Sequence, residues 1–210
     1  ADSWTNIVAP NGPSPRYGAV AFSIGDKGYV GSGYDGNYLS DFYEFDPATN
    51  TWSEIDYCPF KVRDAVAFVI GGKGYVTTGE KNGISVDNLA MYDPSTGKWT
   101  PKRAIANVSD DSYDDDYAIV RRQGVAFVIG GKAYVTLGNN NNSLKKDCWE
   151  YDPVTDLWTD RTSFEGSGRN DAVGFSTESG RGFVMTGSGS TGYFDDFWEF
   201  KPTETLNEDD

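Results

Sequence analysis

Apolar and polar positions along this 210-residue chain recur with a long period. Four blocks share one plan: AVAFSIGDKGYVGSG at 19–33, AVAFVIGGKGYVTTG at 65–79, VAFVIGGKAYVTLG at 125–138 and AVGFSTESGRGFVMTG at 172–187. Each reads as an apolar strand, a short glycine-rich turn, and a second strand ending in glycine, which is the pattern of a β-hairpin. A third strand follows a variable loop: DFYEFD (41–46), NLAMYD (88–93), DCWEYD (147–152) and DFWEF (196–200). Three of these run into one phrase: Phe45-Asp46-Pro47-Ala48-Thr49-Asn50-Thr51-Trp52, Tyr92-Asp93-Pro94-Ser95-Thr96-Gly97-Lys98-Trp99 and Tyr151-Asp152-Pro153-Val154-Thr155-Asp156-Leu157-Trp158. The aspartate accepts a backbone bond and the proline fixes φ, so the phrase predicts a tight turn into a fourth strand that carries the tryptophan. No apolar stripe of useful length appears at helical spacing.

Each unit is thus four short antiparallel strands, lettered a to d, in about 47 residues, judged from the intervals of 48 and 47 between Trp4, Trp52 and Trp99. One such sheet has two apolar faces and cannot bury both alone, so the units are expected to stack around an axis as a β-propeller. The last unit holds Phe200-Lys201-Pro202-Thr203 but no following tryptophan, while Ser3-Trp4-Thr5-Asn6-Ile7 reads as a d strand without a, b or c. The count is then sixteen strands in four blades, with Trp4 completing the last. Alternatives are a section of a longer propeller, or a ring completed by association.

The phrases and their spacing resemble the kelch motif over essentially the whole chain. The resemblance implies an all-β fold: a β-propeller of kelch repeats, four four-stranded blades with the last blade closed by the N-terminal strand. The expected organisation is a single domain over 1–210, with blades near 16–58, 62–101, 121–161 and 169–202 plus strand 3–8. One departure is visible. Where the motif has paired glycines after strand b, this chain has Ser32-Gly33, Thr78-Gly79, Leu137-Gly138 and Thr186-Gly187.

Function is expected on the loops of one face, where the b–c and d–a connections emerge. The b–c loops vary most (34–40, 80–87, 139–146 and 188–195) and offer Tyr34, Asp35, Asn37, Tyr38 and Asn140, side chains that suit sugars or peptides or else satisfy turns. Arginines recur just before strand a: Arg16, Arg121 and Arg169 lie six residues ahead of Phe22, Phe127 and Phe175, and Arg63 and Arg122 lie five ahead of Phe68 and Phe127. The resemblance implies that arginines at this place contact acidic peptide motifs, with bidentate carboxylate recognition as the chemistry. Pairing with nearby aspartates, or packing of the long stems, is the structural alternative.

Charge and composition narrow the classes. Thirty-two acidic residues against eighteen basic give −14, which disfavours nucleic-acid binding, and no apolar run is long enough to span a membrane as a helix. The absence of histidine removes imidazole bases and His-ligated metals, and with them galactose oxidase chemistry, which resembles this architecture. The interval of 59 from Trp99 to Trp158 exposes an insertion between Trp99 and Arg122. It carries Asp110, Asp111, Asp114, Asp115 and Asp116, an oxygen cluster that would suit Ca²⁺ without matching an EF-hand loop, interleaved with Tyr113 and Tyr117, which as part of a lid or rim on this face are further candidate ligand contacts. Asn107-Val108-Ser109 and Asn141-Asn142-Ser143 match a glycosylation acceptor pattern. Cys148 stands at an apolar strand position and Cys58 in a d–a loop, with no disulfide framework expected. The expectation is a non-catalytic module recognising a protein, peptide or glycan on the d–a and b–c face, with no cofactor, in a secreted, periplasmic or cell-envelope setting. The alternative is a histidine-independent sugar-processing enzyme, similar in fold to kelch-type N-acetylneuraminate mutarotases.

Overall fold

The computed structural model describes residues 2–4, 6–7, 10–103, 119–202 and 204. Four antiparallel sheets are arranged as the blades of a propeller, and the described residues contain no helix. Blade 1 is β1 (Val20–Ile24), β2 (Lys27–Gly31), β3 (Phe42–Asp46) and β4 (Thr51–Ile55). Blade 2 has β5 (Val66–Ile70) and β6 (Lys73–Thr77), a small loop hairpin of β7 (Glu80–Lys81) and β8 (Ile84–Ser85), then β9 (Leu89–Asp93) and β10 (Lys98–Lys102). Blade 3 repeats this with β11 (Val125–Ile129), β12 (Lys132–Thr136), the hairpin β13 (Asn139–Asn140) and β14 (Ser143–Leu144), then β15 (Cys148–Asp152) and β16 (Leu157–Arg161). Among the described residues blade 4 has three strands, β17 (Val173–Ser176), β18 (Gly182–Met185) and β19 (Phe197–Phe200).

Local chemistry sets the turns. Gly71-Gly72 and Gly130-Gly131 both hold positive φ, as a two-residue hairpin matched to strand twist requires. In the Asp-Pro phrases, the Oδ1 atoms of Asp46, Asp93 and Asp152 accept the N–H of Ala48, Ser95 and Val154 at 2.8, 2.9 and 2.8 Å. Asn50, Gly97 and Asp156 then take the left-handed conformation that turns the chain back.

The core lies between blades and repeats from one interface to the next. Phe22 and Tyr29 of blade 1 stack and face blade 2, as do Phe68 and Tyr75 toward blade 3, and Phe127 and Tyr134 toward blade 4. Each aromatic pair meets the third-strand ring of the following blade: Tyr29 with Tyr92 at 5.6 Å, Tyr75 with Tyr151 at 5.8 Å, Tyr134 with Phe200 at 4.9 Å. Close approach is helped by a small residue in the second strand, Gly74, Ala133 or Gly182. A Cβ on Gly74 would lie 2.4 Å from Phe22, and one on Gly182 would lie 2.4 Å from Phe127.

The seam between blades 4 and 1 differs from this rule. Backbone bonds link successive blades at their inner ends, from Asp64 N to Gly18 O (2.8 Å), Gln123 N to Asp64 O (2.9 Å) and Asp171 N to Gln123 O (3.3 Å). The corresponding bond from Gly18 N to Asp171 O is not made. Val173, Phe175 and Phe197 are 53%, 39% and 58% exposed, whereas their counterparts Val66, Phe68 and Leu89 are 5% or less. The expected closure by strand 3–8 is corrected here: among its described residues none is in a strand, and Trp4 is fully exposed. Further along the N-terminal segment, Gly12 lies against the indole of Trp52, which seats this stretch on blade 1 rather than on the edge of β19.

Candidate functional site

Three of the five arginines close the blades internally. Arg121 and Arg169 are fully buried, and the Arg16 side chain is nearly so. Arg16 donates to Asp41 through both terminal nitrogens (2.7 and 2.8 Å) and to the carbonyls of Ser14 and Ser32. Arg169 repeats the arrangement with Asp196, Ser167 and Thr186, and Arg121 with Asp147, Ile119 and Leu137. These guanidiniums tie the approach segment to the b–c loop, so the expectation that they meet a ligand gives way to the structural alternative. Arg169 also lies over Phe194, 3.9 Å from the ring centroid. Beside Arg169, the Asp196 carboxyl is held down at about 2. Blade 2 has Val62 at this position, equally buried.

Arg63 and Arg122 stand one residue further on and point differently. Backbone bridges pair Tyr17 with Tyr34, Arg63 with Glu80, Arg122 with Asn139 and Asn170 with Ser188, one pair per blade. This places eight equivalent residues around the mouth of the channel. Glu80 is buried and collects three donors: Arg63 at 2.8 Å, the Tyr38 hydroxyl at 3.2 Å, and Arg122. It thereby joins residues from blades 1, 2 and 3. The Arg63 guanidinium lies 5.4, 5.6 and 5.9 Å from the ring centroids of Tyr17, Tyr34 and Tyr38, within cation–π range of all three. It also donates to the Tyr17 hydroxyl.

The inner rim is amide and carboxylate. Gln123 donates to Asp171 at 2.9 Å and Asn170 donates to Gln123 at 3.1 Å. Burial pushes the Asp64 carboxyl above the usual aspartate range, against the pull of Arg63 at 3.6 Å, and Asp171 adds to the rise. Two cations therefore face three carboxylates (Glu80, Asp64 and Asp171), and the mouth carries no surplus positive charge. Its outward surface carries the exposed ring of Tyr17, the half-buried Tyr34 and Tyr38, the amides of Asn139, Asn140 and Asn170, and the exposed Asp171 carboxylate.

Of the other expected site residues, Asp35 serves its own loop, accepting from Asn37 N at 3.1 Å and Ser14 Oγ at 3.3 Å. Asn37 is exposed at that turn, and Asn140 lies in β13 beside the rim. Asp110, Asp111, Asp114, Asp115, Asp116, Tyr113 and Tyr117 lie outside the described residues, as does Asn107. Among the described residues no cluster of acidic and thiol side chains is arranged to hold a metal ion. Tyr17, Glu80, Gln123, Asn170, Asp171 and the exposed Tyr193 were not anticipated. A signal existed: counting five residues back from Phe22, Phe68, Phe127 and Phe175 gives Tyr17, Arg63, Arg122 and Asn170, but only the arginines stand out as chemistry.

The family model of the Kelch motif matches residues 15–58, which is blade 1 with its approach segment. Blades 2 to 4 repeat the same strand plan, so the fold is a four-blade β-propeller whose first blade matches the Kelch motif. No curated protein matches the chain.

Proposed function

We propose that this protein is a non-catalytic recognition module that binds its ligand at the channel mouth, on Tyr17, Tyr34, Tyr38, Arg63 and the asparagine rim. The kelch propeller is a protein-interaction fold and suits a binding or scaffold role. The observation that carries the finer reading is the internal neutralisation of Arg63 and Arg122 by Glu80 together with Asp64. With that charge committed, the surface offers ring faces and amides, which favour a neutral, hydrogen-bonding ligand: a glycan, or the main chain of a peptide. An acidic peptide would have to displace Glu80, a buried carboxylate with three donors, and breaking such a group is costly. Burial pushes both thiols, Cys58 and Cys148, up to about 12, so neither is poised to act as a nucleophile.

The test is a printed glycan array beside an array of neutral and acidic peptides. Tyr17→Ala and Tyr38→Ala are expected to weaken the recovered interaction at least tenfold, as removing an aromatic anchor does, with an unchanged melting temperature for Tyr17→Ala. Unchanged affinity in both variants would move the site elsewhere. A second reading, a histidine-independent sugar-processing enzyme, draws on one observation: burial raises the Asp64 carboxyl at the mouth, the direction that suits a group for proton transfer. Exchange of sugar anomers followed by NMR tests it, and a rate equal to buffer would remove it.

A further inference from the structure

Glu80 stands at a position that the four blades fill differently. The residue bridged to the approach segment is Tyr34, Glu80, Asn139 and Ser188 in turn. Blades 1, 3 and 4 make the same backbone bridge without a carboxylate, so the fold does not require one. The local structure nevertheless builds this side chain in firmly. Glu80 N donates to Arg63 O at 2.9 Å, and Arg63 N donates to Glu80 O at 3.1 Å. The hairpin β7–β8 pairs Glu80 with Ser85 and Lys81 with Ile84, and Asn82 and Gly83 turn it at φ +54° and +80°. Alternation along β7 puts the Glu80 side chain inside, at 2% exposure, and Lys81 outside.

The carboxylate is held as a receptor would hold an acidic guest. Its Oε1 accepts from Arg63 Nη2 at 2.8 Å, Arg63 Nε at 3.3 Å and the Tyr38 hydroxyl at 3.2 Å, and its Oε2 accepts from Arg122 Nη1. Tyr38 belongs to the b–c loop of blade 1, Arg63 to the approach to blade 2 and Arg122 to the approach to blade 3. The bridge partner of Arg122 is the neutral Asn139, so its guanidinium crosses to the neighbouring blade for a carboxylate. Both guanidiniums are less covered than the acid they hold, with side chains 22% and 29% exposed.

We propose that Glu80 is the specificity-determining residue of the mouth: an internal carboxylate that occupies the anion position of Arg63 and Arg122 and reserves the site for neutral ligands. This rests on the mouth being the binding site and adds which residue sets the charge of the ligand. Two cations against three carboxylates leave the mouth one negative charge, and Glu80→Gln removes it while keeping the size and an acceptor oxygen for Tyr38. An acidic side chain then finds two guanidiniums with the competing carboxylate gone, and guanidinium suits carboxylate bidentately. A neutral ligand keeps its contacts with the tyrosines, because Glu80 lies buried behind them.

The test compares fluorescein-labelled tetraglutamate and tetraglutamine peptides on wild type and Glu80→Gln. Glu80→Gln is expected to bind tetraglutamate at least tenfold more tightly than wild type does, with tetraglutamine unchanged. Adding Arg122→Gln is expected to abolish the gain, which separates a site at the mouth from a general easing of the −14 charge. Equal affinity of wild type and Glu80→Gln for tetraglutamate, or a gain that survives Arg122→Gln, would overturn the proposal. Glu80→Ala covers the case in which glutamine does not fold there, since it opens a carboxylate-sized space. Formate at about 100 mM is expected to raise its melting temperature by at least about 3 °C and to leave wild type unmoved. An equal shift in both, no shift, or a chain that formate cannot fold would count against Glu80. Neither readout uses the protein's own ligand, so the two ideas fail separately: an unaltered Tyr17→Ala moves the site, and a missing gain in Glu80→Gln removes the role of Glu80.

Discussion

Thr78 and Gly79 form the second-blade copy of a position where the kelch pattern has two glycines, and the two residues are expected to respond to substitution with opposite sign. Thr78 sits at φ +60°, and Ser32, Leu137 and Thr186 repeat it at +55°, +59° and +60°. A residue with a Cβ costs roughly 1–2 kcal/mol in this conformation. The Thr78 Oγ1 is also buried with no hydrogen-bond partner among the described residues, a further cost of about 1 kcal/mol. Thr78→Gly removes both. Against that stand the greater freedom of glycine in the unfolded chain, about 0.5–1 kcal/mol, and one lost buried methyl, about 0.8 kcal/mol. The balance favours Thr78→Gly by about 1 kcal/mol, or roughly 2–4 °C in melting temperature for a chain of this size. Gly79→Ala goes the other way. Gly79 lies at φ +99°, and a Cβ there would come 2.8 Å from Arg63 O and 3.1 Å from Ala65 Cα, which are backbone atoms that cannot swing aside. Overpacking and strain together predict a loss of about 2–4 kcal/mol. Urea unfolding at equal m-values reads both changes. A Thr78→Gly protein less stable than wild type by more than about 0.5 kcal/mol, or a neutral Gly79→Ala, would refute the reasoning.

Asp147→Ala leaves the fully buried Arg121 guanidinium without its carboxylate, and the expected loss is about 3 kcal/mol, at the low end for a broken buried pair because Asp147 is partly exposed; a loss below about 1 kcal/mol in urea unfolding would show that the pair does not matter. Burial works against the Glu150 carboxylate, but Arg161, Lys132 and the Tyr134 hydroxyl outweigh it and hold its pKa at about 2. A lowered carboxylate stabilises the fold above its unfolded value of 4.5 and loses that contribution as pH falls through about 2. The stability gap between wild type and Glu150→Gln should therefore stay level above pH 4.5 and narrow below it, and a gap that widens on acidification would contradict the assignment. Cys58 and Cys148 are expected to resist a thiol reagent at about pH 8 in the folded protein and to react once urea unfolds it; fast labelling of the native form would show the thiols to be accessible.

The interior of the propeller was legible in the sequence because it is local. Hairpins follow from Gly71-Gly72 and Gly130-Gly131, the third-to-fourth strand turn from Asp-Pro-x-Thr, and the blade from their fixed order. The arginines illustrate what is not local. Their recurrence before strand a is plain, but their burial depends on carbonyls such as Leu137 O and Thr186 O, sixteen and seventeen residues downstream, converging on the guanidinium. The mouth was half legible for the same reason. Tyr34, Tyr38, Arg63 and Arg122 were visible as chemistry, whereas Glu80 matters only because three blades bring donors to it. The seam was illegible altogether: Trp4 matches the missing fourth-strand tryptophan by pattern, and pattern does not say which blade edge it meets.

That seam grades the molecule along its length. In a row of blades where each touches only its neighbours, the free energy of local opening depends on how many neighbours a blade has. Blades 2 and 3 are clasped on both sides, and Val76, Ala90, Ala133 and Val135 are wholly excluded from solvent. Among its described residues blade 4 has three strands and one flank covered. Local opening of these four blades is therefore expected to begin at blade 4, and whatever covers its free flank would set how often it opens.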